Sequence, residues 1–313
     1  MIVQRLRDDR SLLINGSFVV AFVVLLIVAA TTTDSFMTDD NITNLMKQSV
    51  TTGLLALGML MVILTGGIDL SVGSVVALAG IMAAGLSADL PIPLAMAIGV
   101  AAGVACGFVN GMLVARFRLA PFVVTLAALT TIRGLAYVYS ETPVTPTDIG
   151  FLWIGTESIG PFPVATLIVV AVFALAWVFL TRTGAGRAII AIGGNREAVR
   201  LAGVNVPRHI LVTYMISGFL AGLAGVILAS RVGIAQPSVG VAFELNAIAA
   251  CVIGGASLAG GRGSVLGTLG GVVLLALIDN LLTLYDVQSY WQQVLKGLII
   301  VAVVLARRTE DER

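Results

Sequence analysis

Long apolar runs recur along almost the whole chain, and they constrain its fold more than any single motif does. Of the 313 residues, 58% are hydrophobic and 11% are charged. In an ordinary soluble protein about a quarter of the residues are charged. One soluble core cannot bury this much apolar sequence, so lipid must surround most of it. The composition therefore predicts an all-α polytopic membrane protein, with residues 1–313 forming a single transmembrane domain.

Ten apolar stretches are candidate membrane spans, because a helix needs about 20 mostly apolar residues to cross the hydrocarbon core. The third and eighth are short and flanked by glycine. The first is too long for the core of a signal peptide, about 7–15 residues, so we expect it to remain as a span. The ten predicted spans are Leu12–Ala30, Ser49–Thr65, Ser71–Leu86, Ile92–Ala115, Phe122–Tyr139, Pro163–Leu180, Ile210–Ala229, Leu245–Leu258, Val265–Tyr285 and Trp291–Ala306.

Basic residues predict the orientation of these spans. If the N-terminus is cytoplasmic and ten spans alternate, the outer segments contain only two basic residues, Lys47 and Arg231, together with most of the acids. The cytoplasmic segments then contain nearly all the arginines, as the positive-inside rule requires. We therefore expect both termini in the cytoplasm (N-in/C-in) and a multi-pass location in the cytoplasmic, or inner, cell membrane.

The segment 181–209 is the only long interior stretch without a plausible span, and it carries five arginines and one acid. Asn195 can cap a short helix there and Gly203 can end it, since glycine tolerates the left-handed conformation of a C-terminal cap. A helix of one to two turns is not stable alone, so we expect a cytoplasmic partner protein to hold it. The predicted coupling residues are Asn195, Arg196, Glu197, Ala198, Arg200, Leu201, Ala202 and Gly203.

Glycine recurs at four-residue spacing in three of the predicted spans, which places it on one helix face and lets backbones approach closely. This pattern predicts tight helix packing and not a ligand site. A second pattern relates the two halves of the chain, because GGIDL at 66–70 is similar to GGASL at 254–258. Paired glycine-rich breaks are typical of transporters with two pseudo-repeated halves, although glycine-rich sequences also match by chance.

Polar residues within or near the spans are candidates for the transport pathway or its gate. Asp69 follows the first glycine break, where capping the next helix is favoured over a substrate or proton site. Arg133 binds either a buried carbonyl or the substrate, and Lys296 can pair with Asp279. The predicted pathway or gate residues are Asp69, Asn110, Arg133, Asp279 and Asn280.

Four stretches of the sequence carry a family resemblance: LTGGIDLSVGS (64–74), NGMLVARFRLAPFVVTLAALTTIRGLA (110–136), GRAIIAIGGNREAVRLAGVNV (186–206) and IGGASLAGGRGSVLGTLGG (253–271). They resemble the permease subunit of ribose-type ABC sugar importers, within the larger group that contains branched-chain amino acid permeases. The stretch 110–136 resembles the sugar branch more than the amino acid branch, and the likeness covers roughly residues 54–305.

This resemblance implies a transport subunit that forms a homodimer or heterodimer in membrane lipid. It implies a pair of cytoplasmic ABC ATPase subunits, which bind ATP and Mg²⁺, and an extracytoplasmic sugar-binding protein that delivers a monosaccharide or polyol. In such families a short helix of the cytoplasmic loop seats in a groove of the ATPase. By position that helix corresponds to residues 195–203 here.

The remaining residues exclude several other classes of function. No G-x-x-x-x-G-K-[ST] phosphate loop is present, so we expect no ATP or other cofactor on this chain. The chain has a single histidine, His209, and its sequence shows no convergent set of nucleophile, base or metal ligands. Both observations argue against a membrane enzyme and against a metal site. The sequence has no basic patch with interleaved aromatic residues, so nothing in it indicates binding to nucleic acid. An ion-coupled secondary transporter stays open, with Asp69, Asp279 and Lys296 as its only coupling candidates.

Overall fold

Helices dominate the computed structural model of the chain, which describes residues 22–298 and residue 301. A small antiparallel hairpin in an inter-helix segment is the exception to the all-α prediction. The helices are α1 (Phe22–Thr32, its described part), α2 (Asp39–Leu64), α3 (Val72–Leu86), α4 (Ile92–Ala115), α5 (Pro121–Tyr139), α6 (Trp153–Thr156), α7 (Val164–Arg182), α8 (Gly184–Gly194), α9 (Arg196–Leu201), α10 (Val206–Val232), α11 (Phe243–Ile253), α12 (Val265–Leu284) and α13 (289–298). A 3-10 turn (Ile149–Leu152) precedes α6, and strands β1 (Ser158–Ile159) and β2 (Phe162–Pro163) follow it.

Six helices within the described residues are long and apolar enough to cross a membrane: α2, α4, α5, α7, α10 and α12. The predicted helical, multi-pass membrane protein is therefore confirmed. Helices α1, α3 and α11 are apolar but shorter. The first and last predicted spans lie partly outside the described residues, so the count of ten spans stays a prediction.

Two predicted spans were wrong at their ends. Helix α2 begins at Asp39 and not at Ser49, because the Thr38 side chain caps it and two acids occupy its first turn. The predicted span Leu245–Leu258 is only the 11-residue α11, which ends at Gly254. That helix is about 17 Å long at about 1.5 Å per residue, roughly half of the hydrocarbon core.

The segment 181–209 is more helical than the sequence predicted. Helix α7 continues to Arg182, α10 already begins at Val206, and α8 fills residues 184–194. The missed helix α8 starts where the Thr183 hydroxyl accepts a hydrogen bond from the Gly186 N–H at 3.0 Å. It buries Ile189 and Ile192 on one face. Its glycine content hid it, because glycine disfavours a helix interior unless packing compensates.

The centre of the bundle consists of α2 and α10. Helix α2 is buried without interruption from Gly53 to Leu64, and most of α10 is buried as well. Helices α4, α5 and α7 instead expose large apolar side chains, among them Val138 and Leu175. Such exposed apolar faces are those that lipid covers in a membrane protein.

Glycine allows α4 and α10 to touch along their backbones. A Cβ atom on Gly103 would collide with the Gly218 carbonyl, and one on Gly107 would collide with the Tyr214 carbonyl. In the same way, a Cβ on Gly271 of α12 would collide with the Ala250 carbonyl of α11. The four-residue glycine spacing is therefore a packing device, as predicted.

We expect Gly218→Ala to lower the thermal unfolding temperature of the purified protein, because the new methyl group forces α4 and α10 apart. Overpacking of this kind costs about 1–3 kcal/mol. The matched control is Gly134→Ala in α5, where an added Cβ meets nothing within 4 Å. Both changes gain the same helix propensity. Equal unfolding temperatures for the two variants would contradict the α4–α10 contact.

Candidate functional site

A buried polar cluster lies where the chain breaks between α2 and α3. Gly66 turns the chain there with a φ of +79°, a conformation that glycine adopts without strain. The Asp69 side chain is then buried, and its carboxylate accepts from the Ser71 N–H at 3.1 Å and the Ser71 hydroxyl at 2.6 Å. The Ser217 hydroxyl of α10 donates to the second carboxylate oxygen at 2.9 Å. Asn110 of α4 donates to the Ser71 hydroxyl at 2.9 Å.

This cluster brings two predicted residues, Asp69 and Asn110, together through two serines that the sequence reasoning missed. The bond from the Ser71 N–H closes a turn just before α3, and Ser71, the N-cap residue, makes no side-chain cap bond, so Asp69 does not cap α3 as predicted. Three hydrogen-bond donors satisfy the buried Asp69 side chain. The cluster therefore ties the α2–α3 break to α4 and α10.

A polar cavity of about 600 Å³ lies between α2, α10, α11, α12 and α13, beside the α6 segment. Its lining differs from the apolar interior, because amide, hydroxyl, amine, guanidinium and carboxylate groups all face it. Asp69 and Asn110 do not line it, whereas the predicted residue Asp279 does. The polar side chains include Asn44, Lys47, Gln48, Arg231, Asn246 and Asp279.

Hydrogen bonds hold the charged groups of this cavity in place. The Lys47 amine donates to the Thr156 carbonyl at 2.9 Å, and the Arg231 guanidinium donates to the Lys47 carbonyl at 2.7 Å. Lys296 pairs with Asp279 at 2.8 Å, a pairing that the sequence allowed but did not predict. Sequence reasoning did not assign Lys47 and Arg231 to a site. The available signal was that they are the only two basic residues of the predicted outer segments.

The predicted residue Asn280 lies next to this cavity on α12 and pairs with Asn41 of α2. Each side-chain amide donates to the other's carbonyl oxygen, at 3.1 Å and 2.7 Å. Because both amides are satisfied within the protein, the pair fixes the N-terminal part of α2 against α12. The structure thus gives Asn280 a partner in helix packing, and a role in the pathway stays a prediction.

Arg133 reaches from α5 to the segment that joins α10 and α11. Its guanidinium donates to the carbonyls of Pro237 and Val239, each at 2.5 Å. Two further backbone hydrogen bonds link Ala235 of the same segment to Val144, at 2.8 Å and 2.9 Å. Of the two roles expected for Arg133, the geometry matches the contact with backbone carbonyls.

The α10–α11 segment brings the N-termini of two short helices together. Gly240, with a φ of +82°, packs against Gly73 in the first turn of α3 so closely that a Cβ on Gly73 would collide with the Gly240 carbonyl. The Glu244 carboxylate, in the first turn of α11, lies 2.8 Å from the same Cβ position. Converging N-termini of short helices concentrate positive dipole ends and free N–H groups, an arrangement typical of transporter binding sites. Phe243 and Asn246 of α11 also line the cavity, so α11 borders both features.

The short helix α9 forms as the sequence predicted. The Asn195 side chain caps it by accepting from the Ala198 N–H at 2.9 Å, and Gly203 follows it with a φ of +82°. The expectation that a partner alone holds this helix needs correction, because Val199 packs on the chain's own apolar cluster around Val62 and Ile192.

The opposite side of α9 is open. Leu201 has 74% of its surface exposed, so its apolar side chain is free to contact another protein. Glu197 and Arg200 pair beside it, and the hydrogen bonds from Arg200 lower the pKa of the Glu197 carboxyl. Helix α9 thus combines an anchored side with an exposed apolar contact point.

Helix α8 connects α9 to the two glycine-rich breaks in the helical structure, one after α2 and one after α11. A Cβ on Gly193, near the end of α8, would collide with the Leu64 carbonyl and the Gly261 N–H. Those two groups are themselves hydrogen-bonded at 3.1 Å. The two glycine-rich breaks that the sequence pairs, after α2 and after α11, therefore meet each other and the end of α8 at one junction.

Comparison with known proteins agrees with this architecture. The chain matches the family described as branched-chain amino acid transport system, permease component, over residues 41–304. It is 42% identical to the ribose import permease protein of Bacillus subtilis (strain 168), over 95% of this chain and 92% of that protein. No solved structure matches the chain.

Other relatives are permease proteins for further sugars. The chain is 38% identical to the D-allose transport system permease protein of Escherichia coli (strain K12), over 93% of this chain and 91% of that protein. It is 35% identical to the galactose/methyl galactoside import permease protein of the same strain, over 94% of both chains. The resemblance read from the motifs is confirmed, and the chain belongs to this permease family, on the branch of the ribose-type ABC sugar importers.

Proposed function

We propose that this chain is the transmembrane subunit of an ATP-driven ABC importer that translocates a monosaccharide or a similar polyol. The observation that carries the proposal is the polar cavity of about 600 Å³, which α11 lines through Phe243 and Asn246. Amide groups such as those of Asn44, Gln48 and Asn246 suit the hydroxyl groups of a sugar. The relatives named for ribose, allose and galactose import support this substrate class.

In this proposal the cavity faces outward and receives the sugar from an extracytoplasmic binding protein. The ten spans alternate with both termini in the cytoplasm, which places Lys47 and Arg231 at the outer end and α9 at the inner end. A second permease subunit, identical or related, completes the pathway within the membrane. ATP and Mg²⁺ bind to the partner ATPase, and this chain contributes no catalytic group.

Helix α9 is the proposed contact with the ATPase, through the exposed Leu201 side chain. Movement of α9 reaches the buried breaks through α8, because Gly193 touches the Leu64 carbonyl and the Gly261 N–H directly. Close backbone contacts transmit displacement without a soft side chain between them. The α2–α3 break that receives this displacement also carries the Asp69 cluster.

The proposed orientation can be tested by labelling single cysteines in a chain that lacks Cys106 and Cys251. Cysteines at Asp148 and Glu157, both exposed, should react with a membrane-impermeant thiol reagent applied from outside. Cysteines at Arg187 and Arg200 should react only after the membrane is permeabilised. The reverse pattern would overturn the proposed orientation.

Arg133→Ala is expected to lower the folded yield and thermal stability, because the change leaves two carbonyls of the α10–α11 segment without their donor. Each unsatisfied buried group costs about 1–3 kcal/mol. Transport per folded molecule should stay close to normal. An exposed arginine of α8 changed in the same way, Arg187→Ala, is the control for loss of charge. Normal stability with no transport would instead place Arg133 in the substrate pathway.

The proposed function predicts that reconstituted vesicles take up sugar only with ATP, the ATPase and the binding protein present. Leu201→Asp should abolish this uptake and the co-purification of the ATPase. A carboxylate buried in an apolar contact costs several kcal/mol, which lowers affinity more than about a hundredfold. Membrane insertion should be unchanged, since the side chain is exposed in the permease alone.

The matched control for that change is Arg196→Ala on the flank of α9, which should reduce ATPase capture much less, because an exposed ion pair contributes only about 0–1 kcal/mol. Intact capture and uptake in Leu201→Asp would show that α9 is not the coupling element. Uptake driven by an ion gradient without ATP would favour the ion-coupled alternative.

A further inference from the structure

A basic cleft of about 620 Å³ lies between α9 and the turn that joins α4 to α5. Arg118 of that turn lines one side, and Arg196 and Arg200 of α9 line the other, with Glu197 as the one acid of the lining. Val206 and Pro207, at the start of α10, complete it. None of these groups belongs to the polar cavity on the proposed outer side.

The positive charge of the cleft is only partly neutralised within the protein. Glu197 is paired with Arg200, through two hydrogen bonds from its guanidinium. The guanidinium groups of Arg118 and Arg196 make no hydrogen bond or ion pair with any residue in the described part of the chain. Two unpaired cations lining one cleft create a local potential that attracts an anion, and guanidinium matches the geometry of phosphate.

On the orientation of the proposed function, on which this inference rests, the α4–α5 turn places the cleft at the level of the cytoplasmic lipid headgroups. Its sequence alternates arginine with apolar residues, as Arg116-Phe117-Arg118-Leu119. Phe117 and Leu119 are exposed in the folded chain, as is Phe122 at the start of α5. Exposed apolar side chains at the end of two membrane helices extend into lipid, while adjacent arginines extend to the headgroups.

Arg118 lines the cleft from the α4–α5 turn, where its backbone has a φ of +57° in the left-handed region.

We propose that this cleft binds the phosphate headgroup of an anionic phospholipid of the cytoplasmic leaflet, with Arg118 and Arg196 as its ligands. The acyl chains extend along the exposed apolar side chains of the α4–α5 turn. A lipid bound in this way joins α9 to that turn and steadies the helix on the side opposite to its contact with α8. The proposal does not require the ATPase or the transported sugar.

The test is binding of phosphatidylglycerol to the purified full-length chain in a neutral detergent, followed by native mass spectrometry and by thermal unfolding. Phosphatidylglycerol should bind and raise the unfolding temperature, and phosphatidylcholine should not. The double variant Arg118→Gln, Arg196→Gln should lose about thirtyfold in affinity for phosphatidylglycerol. Arg187→Gln, on α8 outside the cleft, should bind as the wild type does.

A second double variant, Arg118→Lys with Arg196→Lys, keeps both positive charges and should retain most of the binding. It shows whether the glutamine variant loses affinity because it lacks charge or because it misfolds. Equal affinity of the wild type and the glutamine variant would overturn the proposal. Equal stabilisation by inorganic phosphate or glycerol phosphate would overturn the proposal that the bound phosphate belongs to a lipid, and would indicate a soluble anion instead. Loss of ATPase capture with intact phosphatidylglycerol binding would also overturn it and assign the cleft to the ATPase contact.

Discussion

Within a bilayer no water is available to satisfy a backbone N–H or carbonyl, and this constraint decides where the chain can leave its helices. The break after α2 is satisfied by the protein itself. The Thr125 hydroxyl donates to the Ile68 carbonyl at 3.1 Å, and the Gly261 N–H donates to the Leu64 carbonyl at the same distance. The segment between α10 and α11 receives its donors from Arg133. Each irregular stretch is thus tolerated because a distant element supplies its partners.

Close packing follows from the same constraint. Lipid provides little hydrophobic drive for helices to associate, so they must gain contact through short backbone distances. The glycines of α4 and α10 supply that contact, and they bring Asn110 and Ser217 close enough to complete the Asp69 cluster. The Asp69 cluster therefore depends on the glycines that let α4 and α10 approach each other, as well as on its own polar residues.

Sequence reasoning found the elements whose signal is local. Apolar length predicts α4, α5, α7 and α12 closely, and the cap by Asn195 predicts α9, because each depends on neighbours in the chain. It missed α8, whose glycines are tolerated only through tertiary contact, and it extended α11 beyond Gly254. It also proposed Asp69 and Asn110 as site residues without Ser217, since a contact across 148 residues leaves no trace in spacing. Ser71 was missed although it is only two residues from Asp69.

The cavity was the hardest feature to predict, because its lining comes from five helices and the α6 segment. One signal was nevertheless present. Lys47 and Arg231 are the only two basic residues of the predicted outer segments, where the positive-inside rule predicts few cations. In the structure both line the cavity, and Arg231 donates to the carbonyl of Lys47 itself.

The arrangement of carboxylates also bears on how transport is driven. A secondary transporter needs a carboxylate that is free to exchange a proton or a cation during its cycle. Asp69 already accepts three hydrogen bonds, and Asp279 is paired with Lys296. Both are therefore occupied by partners within the chain. The proposed contact between Leu201 of α9 and an ATPase places the source of energy on a partner protein instead.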